Sequence, residues 1–507
     1  LKLVSGDTMS KIDKWSIENI GIPGCVLMEN AGRGVFNLFI EKFNPDINSK
    51  IVIFAGKGNN GGDGFVLGRY LFNNNFKNFD TILLANSETL KGDAAINFNI
   101  CKNMGINIKE ILNIEQFNSF FAGKSYDFIF DAIFGTGLKS EVKDFYKYII
   151  DFINASSSKK IAIDIPSGLD SEKGIPLGAA VRADLTVTFG IKKIGLATSP
   201  GAIYTGLTEV VDISIPKSLP FTISDFEIDD QMVNRIYKKR SVDAHKGSFG
   251  HVVILGGSLG FSGAVTLAAK SALKSGSGLV TAILPNEINS IFEASFIEGM
   301  SFPIDLKSPK IDKILDFINS KDVIVVGPGL GQSDDAKNLI FKIIEKISIP
   351  IIIDADGLNI ISEKIDILKS LEGRTIITPH PGEFGRLMNL SSKDIQLDRL
   401  SAVRVFLKKY DITLMLKGFR TIICSNGETY ISPKGSSAMA TAGSGDVLSG
   451  IVASFVAQGY SLKDAAVMGA YIHGFSGDIA AKREFPETVT AQSIIDNLHY
   501  AFKILFS

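Results

Sequence analysis

Short apolar runs recur along the chain. Each is followed by a polar, glycine-rich stretch and then by a segment whose apolar positions fall three to four residues apart. In the first half the runs are IVIFAG (51–56), TILLAN (81–86), YDFIFDAIFGTG (126–137), KKIAIDIPSGLD (159–170) and ADLTVTFG (183–190). Between them, FVLGRYLFNN (65–74) and KGDAAINFNICKNMG (91–105) carry helical spacing, the second closing at Gly105. Runs such as DVIVV and PIIID have the length of strands buried on both faces. Strand–helix alternation of this kind predicts a parallel sheet with helices on both sides.

The pattern lapses over residues 214–235, where SIPKSLPFTISDFEIDDQMV mixes prolines and acids without a period. A linker is expected over 216–227, between a domain at 1–215 and a second at 228–507. Alternation resumes with GHVVILGGS (250–258) and continues through LVTAILP, DVIVVGPGLG, IPIIIDADGLN, RTIITPHPGEFGRL, ITLMLKG and TIICSNG. Helical patterns at 445–458, 462–482 and 490–504 close the chain. The expected class is α/β, with two domains, each a mostly parallel sheet covered by helices on both faces.

Composition narrows the function. With 507 residues of which 45% are apolar, the chain can bury large cores, and its net charge of −1 gives no argument for a nucleic-acid or membrane partner. No apolar run approaches the ~18 residues of a membrane span, and the N-terminal stretch lacks the apolar core of a signal peptide. Cys25, Cys101 and Cys424 are odd in number and far apart, which predicts neither a disulfide framework nor a zinc knuckle. A cytoplasmic enzyme is expected.

The chemistry concentrates in loops that leave the strands. GKGNNGGDGF (56–65) fits neither common phosphate-loop spacing. Its glycines would let the backbone approach a ligand, and a helix N-terminus would aim free N–H groups at an anion. Asp131 and Asp164 each end a strand. A lone Asp there is ordinarily a cap or turn residue, but three polar loops on one sheet point to a ligand. Asn60, Asp131 and Ser167 would offer hard oxygen donors carrying a single charge, a set suited to a monovalent cation. In the second half, GSGD places Gly443, Gly445 and Asp446 at the mouth of an apolar helix. Such glycines form an anion hole, and Asp446 beside it could take a proton from a substrate hydroxyl. His380, between two prolines, reads as part of an exposed binding loop without metal-ligand spacing to another His.

GNNGGDGFVLGRYL, DAIFGTGL and AIDIPSGLDSEKG, with IPGCVLMENAGRGV before them, resemble the NAD(P)H-hydrate epimerase domain, also called the YjeF N-terminal domain. That resemblance implies a Rossmann-like fold and a damaged dinucleotide held by Asn59, Asn60, Gly61, Gly62 and Asp63. Gly135, Thr136, Gly137, Leu138, Lys139, Ser140, Glu141 and Asp164 would complete its binding site. It also implies potassium on Asn60, Asp131 and Ser167, with Asp131 as proton carrier. HKGSFGHVVILGGSLGFSGA, GPGLG, DADGLN, TPHPGEFGRL, LKG and GSGDVLSG, in that order, resemble the ADP-dependent NAD(P)H-hydrate dehydratase domain of the ribokinase-like superfamily. This second resemblance implies hydrated dinucleotide at Ala264, Gly329, His380, Pro381, Gly382, Glu383 and Asp446. It places adenine nucleotide, with Mg2+ on its phosphates, at Lys417, Gly418, Phe419, Arg420, Thr421, Ala442, Gly443, Ser444 and Gly445. Two positions depart from the family pattern: Phe261 stands where a tyrosine is expected, and Ser436-Ser437-Ala438 replaces Asn-Pro-Gly. Together the resemblances imply a bifunctional enzyme that epimerises NADHX or NADPHX and dehydrates the S epimer with ADP. A homo-oligomer is expected. The alternative is a metabolite kinase fused to a dinucleotide-binding domain.

Overall fold

The structure, a computed structural model, describes residues 1–507. The chain divides into two compact units, Lys2–Asp225 and Phe226–Ser507, with Leu1 grouped with the second.

The first unit is built on seven parallel strands: β1 (Ile51–Ala55), β2 (Phe79–Leu83), β3 (Ile108–Glu110), β4 (Phe128–Ala132), β5 (Lys159–Ile163), β6 (Leu185–Phe189) and β7 (Leu207–Val211). Their order is β3-β2-β1-β4-β5-β6-β7, all neighbours parallel. The order reverses between β1 and β4, and a crevice opens at such a switch point, outside the carboxyl ends of the strands. Alternate residues fill opposite faces, as strand geometry requires. Ile51, Ile53, Phe128 and Phe130 join one core; Val52, Phe54 and Ile129 join the other. On the first face, Phe39 sets its ring edge-on to Phe128 and Phe130 at 4.9 and 5.0 Å.

Three helices matter to this unit's crevice: α1 (Gly6–Trp15), α2 (Gly24–Phe43) and α3 (Asn59–Asn73). The pattern of apolar positions had left α1 unassigned. Ser5 caps it, accepting from Thr8 N at 3.1 Å, and it buries Met9 and Ile12. Strands β3 and β7 were also missed; they have mixed burial, with no continuous apolar run to announce them.

The second unit carries nine ordered strands: β8 (His251–Leu255), β9 (Leu279–Pro285), β10 (Met300–Ile304), β11 (Val323–Val326), β12 (Ile351–Ile353), β13 (Thr375–Ile377), β14 (Thr413–Leu416), β15 (Ile422–Ser425) and β16 (Glu428–Ile431). The order is β10-β9-β8-β11-β12-β13-β14-β15-β16. Pairs are parallel up to β14, then antiparallel. Again the order reverses, here between β8 and β11. Helix α4 (Ser262–Lys274) follows β8, α5 (Pro381–Met388) follows β13, and α6 (Ser444–Ala457) packs on α4. Helix α6 is buried all round from Val447 to Ala457, which explains its uniformly apolar sequence. The stretch read as patternless holds a strand, Asp225–Glu227, and a short helix, Asp230–Ile236, capped by Asp229. Both are too short to show a period.

Candidate active sites

At the first switch point a cleft of about 710 Å³ opens. The turn from β1 into α3 forms one wall, and its glycines serve two purposes. A Cβ on Gly61 would sit 1.9 Å from Gly56 O, and one on Gly56 would sit 2.0 Å from Ile133 O. Those two glycines let strand exits pack backbone to backbone. Gly58 instead faces open space. Helix α3 starts there with no side-chain cap, leaving its first-turn N–H groups for an anion. Asn59, Asn60 and Asp63 line the cleft, while Gly61 and Gly62 lie behind it, Gly62 against Met28. The loop after β4 lines it with Gly135, Thr136, Gly137, Leu138, Ser140 and Glu141. Lys139 does not join them: its ammonium pairs with Asp7 Oδ1 at 2.8 Å.

Asp131 lies beneath the cleft, fully buried and outside its lining. Oδ1 accepts from Ser167 Oγ at 2.5 Å and Oδ2 from Ser167 N at 2.7 Å, with Ile133 N at 3.3 Å from Oδ1. Burial pushes its carboxyl up to about 6 against those three donors. Asp131 itself does not line the cleft, so its carboxyl would act on a bound substrate only through an intervening group. Asp164, at the exit of β5, does line the cleft. Its Oδ1 receives Lys193 Nζ at 2.6 Å, Thr188 Oγ1 at 3.1 Å and Phe189 N at 3.4 Å. Lys193, 1% exposed, also donates to Thr188 Oγ1 and Phe189 O. Asp164 is held in the left-handed region at φ 65°, a cost that a pinned functional side chain can justify.

Asp13 and Asp63 bring two more carboxyls to the lining. Burial lifts Asp13 to about 6, Asp164 adding to the effect and Lys193 opposing it. Asp63 stands well above the ordinary range for the same leading reason, with Asp164 and Asp13 contributing. Sequence reasoning missed Lys193 and Asp13. The doubled lysine just after the ADLTVTFG strand was a readable signal for the first. Asp13, next to the buried Ile12 on α1, had none without that helix.

The cation fit can be tested on one atom. Asn60 Nδ2 donates to Phe134 O at 3.0 Å, which turns Oδ1 inward, where it is buried with no partner. An orphaned amide oxygen beside the Asp131 carboxylate, Ser167 Oγ and Phe134 O is an all-oxygen set with one charge. It matches a monovalent cation better than Mg2+ or Ca2+. No cluster of three or more His, Cys, Asp or Glu side chains suits a metal ion.

In the second unit, Asp446 is the third residue of α6, and Gly443 caps that helix from the position before it at φ 85°. The N–H groups of Gly445 and Asp446 lie in the first turn, without intrahelical partners. Burial raises the Asp446 carboxyl to about 7, helped by Asp354 and opposed by Lys417. Lys417 Nζ binds Asp354 Oδ1 at 2.6 Å and stands 3.8 Å from Glu383 Oε2. Burial works against this ammonium, but Asp354 and Glu383 outweigh it and keep its pKa above the ordinary value. Asp354 Oδ2 takes Ser449 Oγ at 2.5 Å. Lys417 thus serves as a fixed charge at the anion hole.

The remaining expected residues take varied positions. Ala264 on α4 faces Gly329, which follows β11; a Cβ on Gly329 would lie 3.0 Å from Ala264 Cβ. His380 caps α5: its Nδ1 accepts from Gly382 N and Glu383 N, and Glu383 Oε2 accepts from His380 N. Burial first, then Lys417, lowers its pKa, so neutral imidazole is the capping form. Pro381 is the first residue of α5, where a missing N–H costs nothing. In the Lys417–Thr421 loop, Phe419 is exposed, Arg420 pairs with Glu227 at 3.0 Å, and Thr421 Oγ1 donates to Gly418 O. Arg399, buried and unforeseen, holds this loop from below by donating to the carbonyls of 416, 417, 419 and 420. Ser444 Oγ lies 3.4 Å from His473 Nε2, and Ala442 is exposed. Phe261, at 65% exposure, offers a ring without the family's hydroxyl.

Two open α/β sheets, each with an anion-binding helix start and carboxyls at its switch point, define a two-site nucleotide enzyme. The pattern of the YjeF-related protein N-terminus matches residues 24–195, and that of NAD(P)H-hydrate dehydratase matches 252–499. The bifunctional NAD(P)H-hydrate repair enzyme Nnr of Moorella thermoacetica is 36% identical over 99% of this chain and 97% of its own. That of Dictyoglomus turgidum is 34% identical, covering 99% and 98%. A solved ribokinase-like superfamily protein of Enterococcus faecalis is 26% identical, with a TM-score of 0.51, covering 57% of this chain and 99% of its own. The chain belongs to the bifunctional NAD(P)H-hydrate repair enzyme family.

Proposed function

We propose that the chain interconverts the R and S epimers of hydrated NADH or NADPH in its first unit and dehydrates the S epimer in its second, at the expense of ADP. The observation that carries the reading is the pairing, in one chain, of the Asp164–Lys193 cleft with the Asp446 anion hole. Hydroxide is a poor leaving group. In the second unit Asp446 takes the proton of the C6 hydroxyl while the phosphoryl group of ADP moves onto that oxygen. The Gly445 and Asp446 N–H groups and Lys417 balance the charge that develops. Loss of the phosphate with a proton from C5 restores the reduced ring. A base near 7 suits this role, since it is half ionised at the working pH.

The cation site on Asn60, Asp131 and Ser167 would take potassium, whose charge would fix the three loops that frame the cleft. Magnesium, bound mainly by nucleotide phosphates and water, would neutralise charge at the second site. That fits a site in which Asp354 and Asp356 already accept protein hydrogen bonds. No helix of the chain is long and apolar enough to cross a membrane. A cytoplasmic homo-oligomer completes the reading, to be checked by fractionation and light scattering. The test of the function is incubation of separated epimers of hydrated NADH with and without ADP. Interconversion without ADP and NADH formation with it support the reading. A stable phosphate ester as end product would favour a metabolite kinase instead.

A further inference from the structure

Among the groups lining the cleft, Asp13, Asp63 and Asp164 gather with the Lys193 ammonium, while Asp93, Glu141, Lys57 and Lys143 also contribute to its walls, and the first three carboxyls are treated very differently by their surroundings. Asp164 Oδ1 has three donors, one of them an ammonium. Asp13, on α1, receives no N–H or O–H from the protein, and its Oδ1 is buried without a partner. An ionised carboxyl left so would lose its hydration for nothing, whereas a protonated one loses far less. The charged groups facing Asp13 are Lys193 and Asp164 from the strand exits and Asp63 from α3. Lys193 lowers both Asp13 and Asp63 but does not outweigh their burial, so both carboxyls stand above the ordinary range.

We propose that Asp13 and Asp164 act as a two-carboxyl acid–base pair, exchanging one proton across the bound hydrated ring. This rests on the epimerase reading of the cleft. In one direction Asp13 gives its proton to the C6 hydroxyl. The C6–O bond breaks with its electron pair going to oxygen, water leaves, and the ring nitrogen lone pair closes an N=C6 iminium. A solvent water then adds to C6 from the other side, and Asp164 takes its extra proton. The enzyme now holds the proton on Asp164, the form that runs the reverse direction. No oxidant or further reactant enters. Burial, which lifts Asp13 to about 6, favours its protonated form as the resting acid. Asp63, on α3 and 8% exposed, is itself held well above the ordinary carboxylate range, first by burial, and is not needed to transfer a proton.

The test uses the full chain, separated epimers of hydrated NADH, no ADP, and water enriched in oxygen-18. The wild type is expected to interconvert the epimers and place solvent oxygen at C6. Asp13→Asn and Asp164→Asn should each lower kcat by about 10²–10⁴ in both directions with KM within a few-fold. Their ADP-driven dehydration of pure S epimer should stay near wild type, which reports that the chain is folded. The wild-type rate should also fall on both sides of a pH optimum, because the pair fails when it holds two protons or none. Should Asp13→Asn prove unstable, Asp13→Glu, with partial activity and a shifted acid limb, supports the pair. A wild-type enzyme that epimerises while Asp13→Asn stays within threefold of it overturns the role of Asp13 and leaves the epimerase reading standing. Retention of the original oxygen, or a flat pH profile, overturns the pair as well. A wild type that does not interconvert the epimers overturns the reading beneath it.

Discussion

Asp446 and Lys193 carry opposite burdens at the scale of single residues. In the proposed dehydration Asp446 is the base, so its active form is the ionised one. With its carboxyl raised to about 7, that form is present above this value and is lost as pH falls through it. The dehydration rate, kcat/KM for the S epimer with ADP, should fall about tenfold per pH unit below that point. A rate level down to pH 5 would contradict the assignment. Lys193 is buried with all its donors used, so Lys193→Met removes the ammonium that holds Asp164 while leaving the carboxyl in place. Epimerisation should fall by about 10²-fold or more while dehydration is spared. Single-activity assays read both. Of these two residues, Asp446 is singled out by sequence, because its Gly-Ser-Gly-Asp turn opens an apolar helix and closes an ordered set of loops at strand ends. Lys193 is not, because its meaning comes from Asp164, which lies 29 positions away in the chain and touches it only after folding.

Elements explain why the rest of the site was read unevenly. Buried parallel strands announce themselves as apolar runs, so every strand that ends in a site loop was found. The helix bearing Asp13 was missed, as were the half-buried β3 and β7, since short elements with mixed burial show no period. The glycine turn was legible as a binding loop, but its glycines divide by backbone geometry that spacing does not reveal. Gly61→Ala forces a methyl against Gly56 O and should cost roughly 1–3 kcal/mol of stability along with the cleft's shape. Gly58→Ala meets nothing within 4 Å, so its melting temperature should match wild type while KM for the epimerase rises. Equal melting of the two variants would show that the packing role is wrongly placed. The converging loops also predict a cation response. Replacing potassium by a bulky organic cation should slow epimerisation and lower the first unit's thermal transition, with dehydration little changed; identical behaviour in both salts would contradict the Asn60 site.

For the whole molecule, the claim is that two sites of different chemistry divide one repair task. The two units each bury their own core. Mixed epimers of hydrated NADH supplied with ADP put this to the sharpest test, followed by NADH absorbance and by separation of the remaining substrate. The wild type should convert the whole mixture, because epimerisation feeds the R form into dehydration. Asp164→Asn should stop when the S fraction is spent, and Asp446→Asn should make no NADH while the epimers still interconvert. Wild-type conversion that halts at the S fraction, or that ends in an accumulating phosphate ester, would contradict the account.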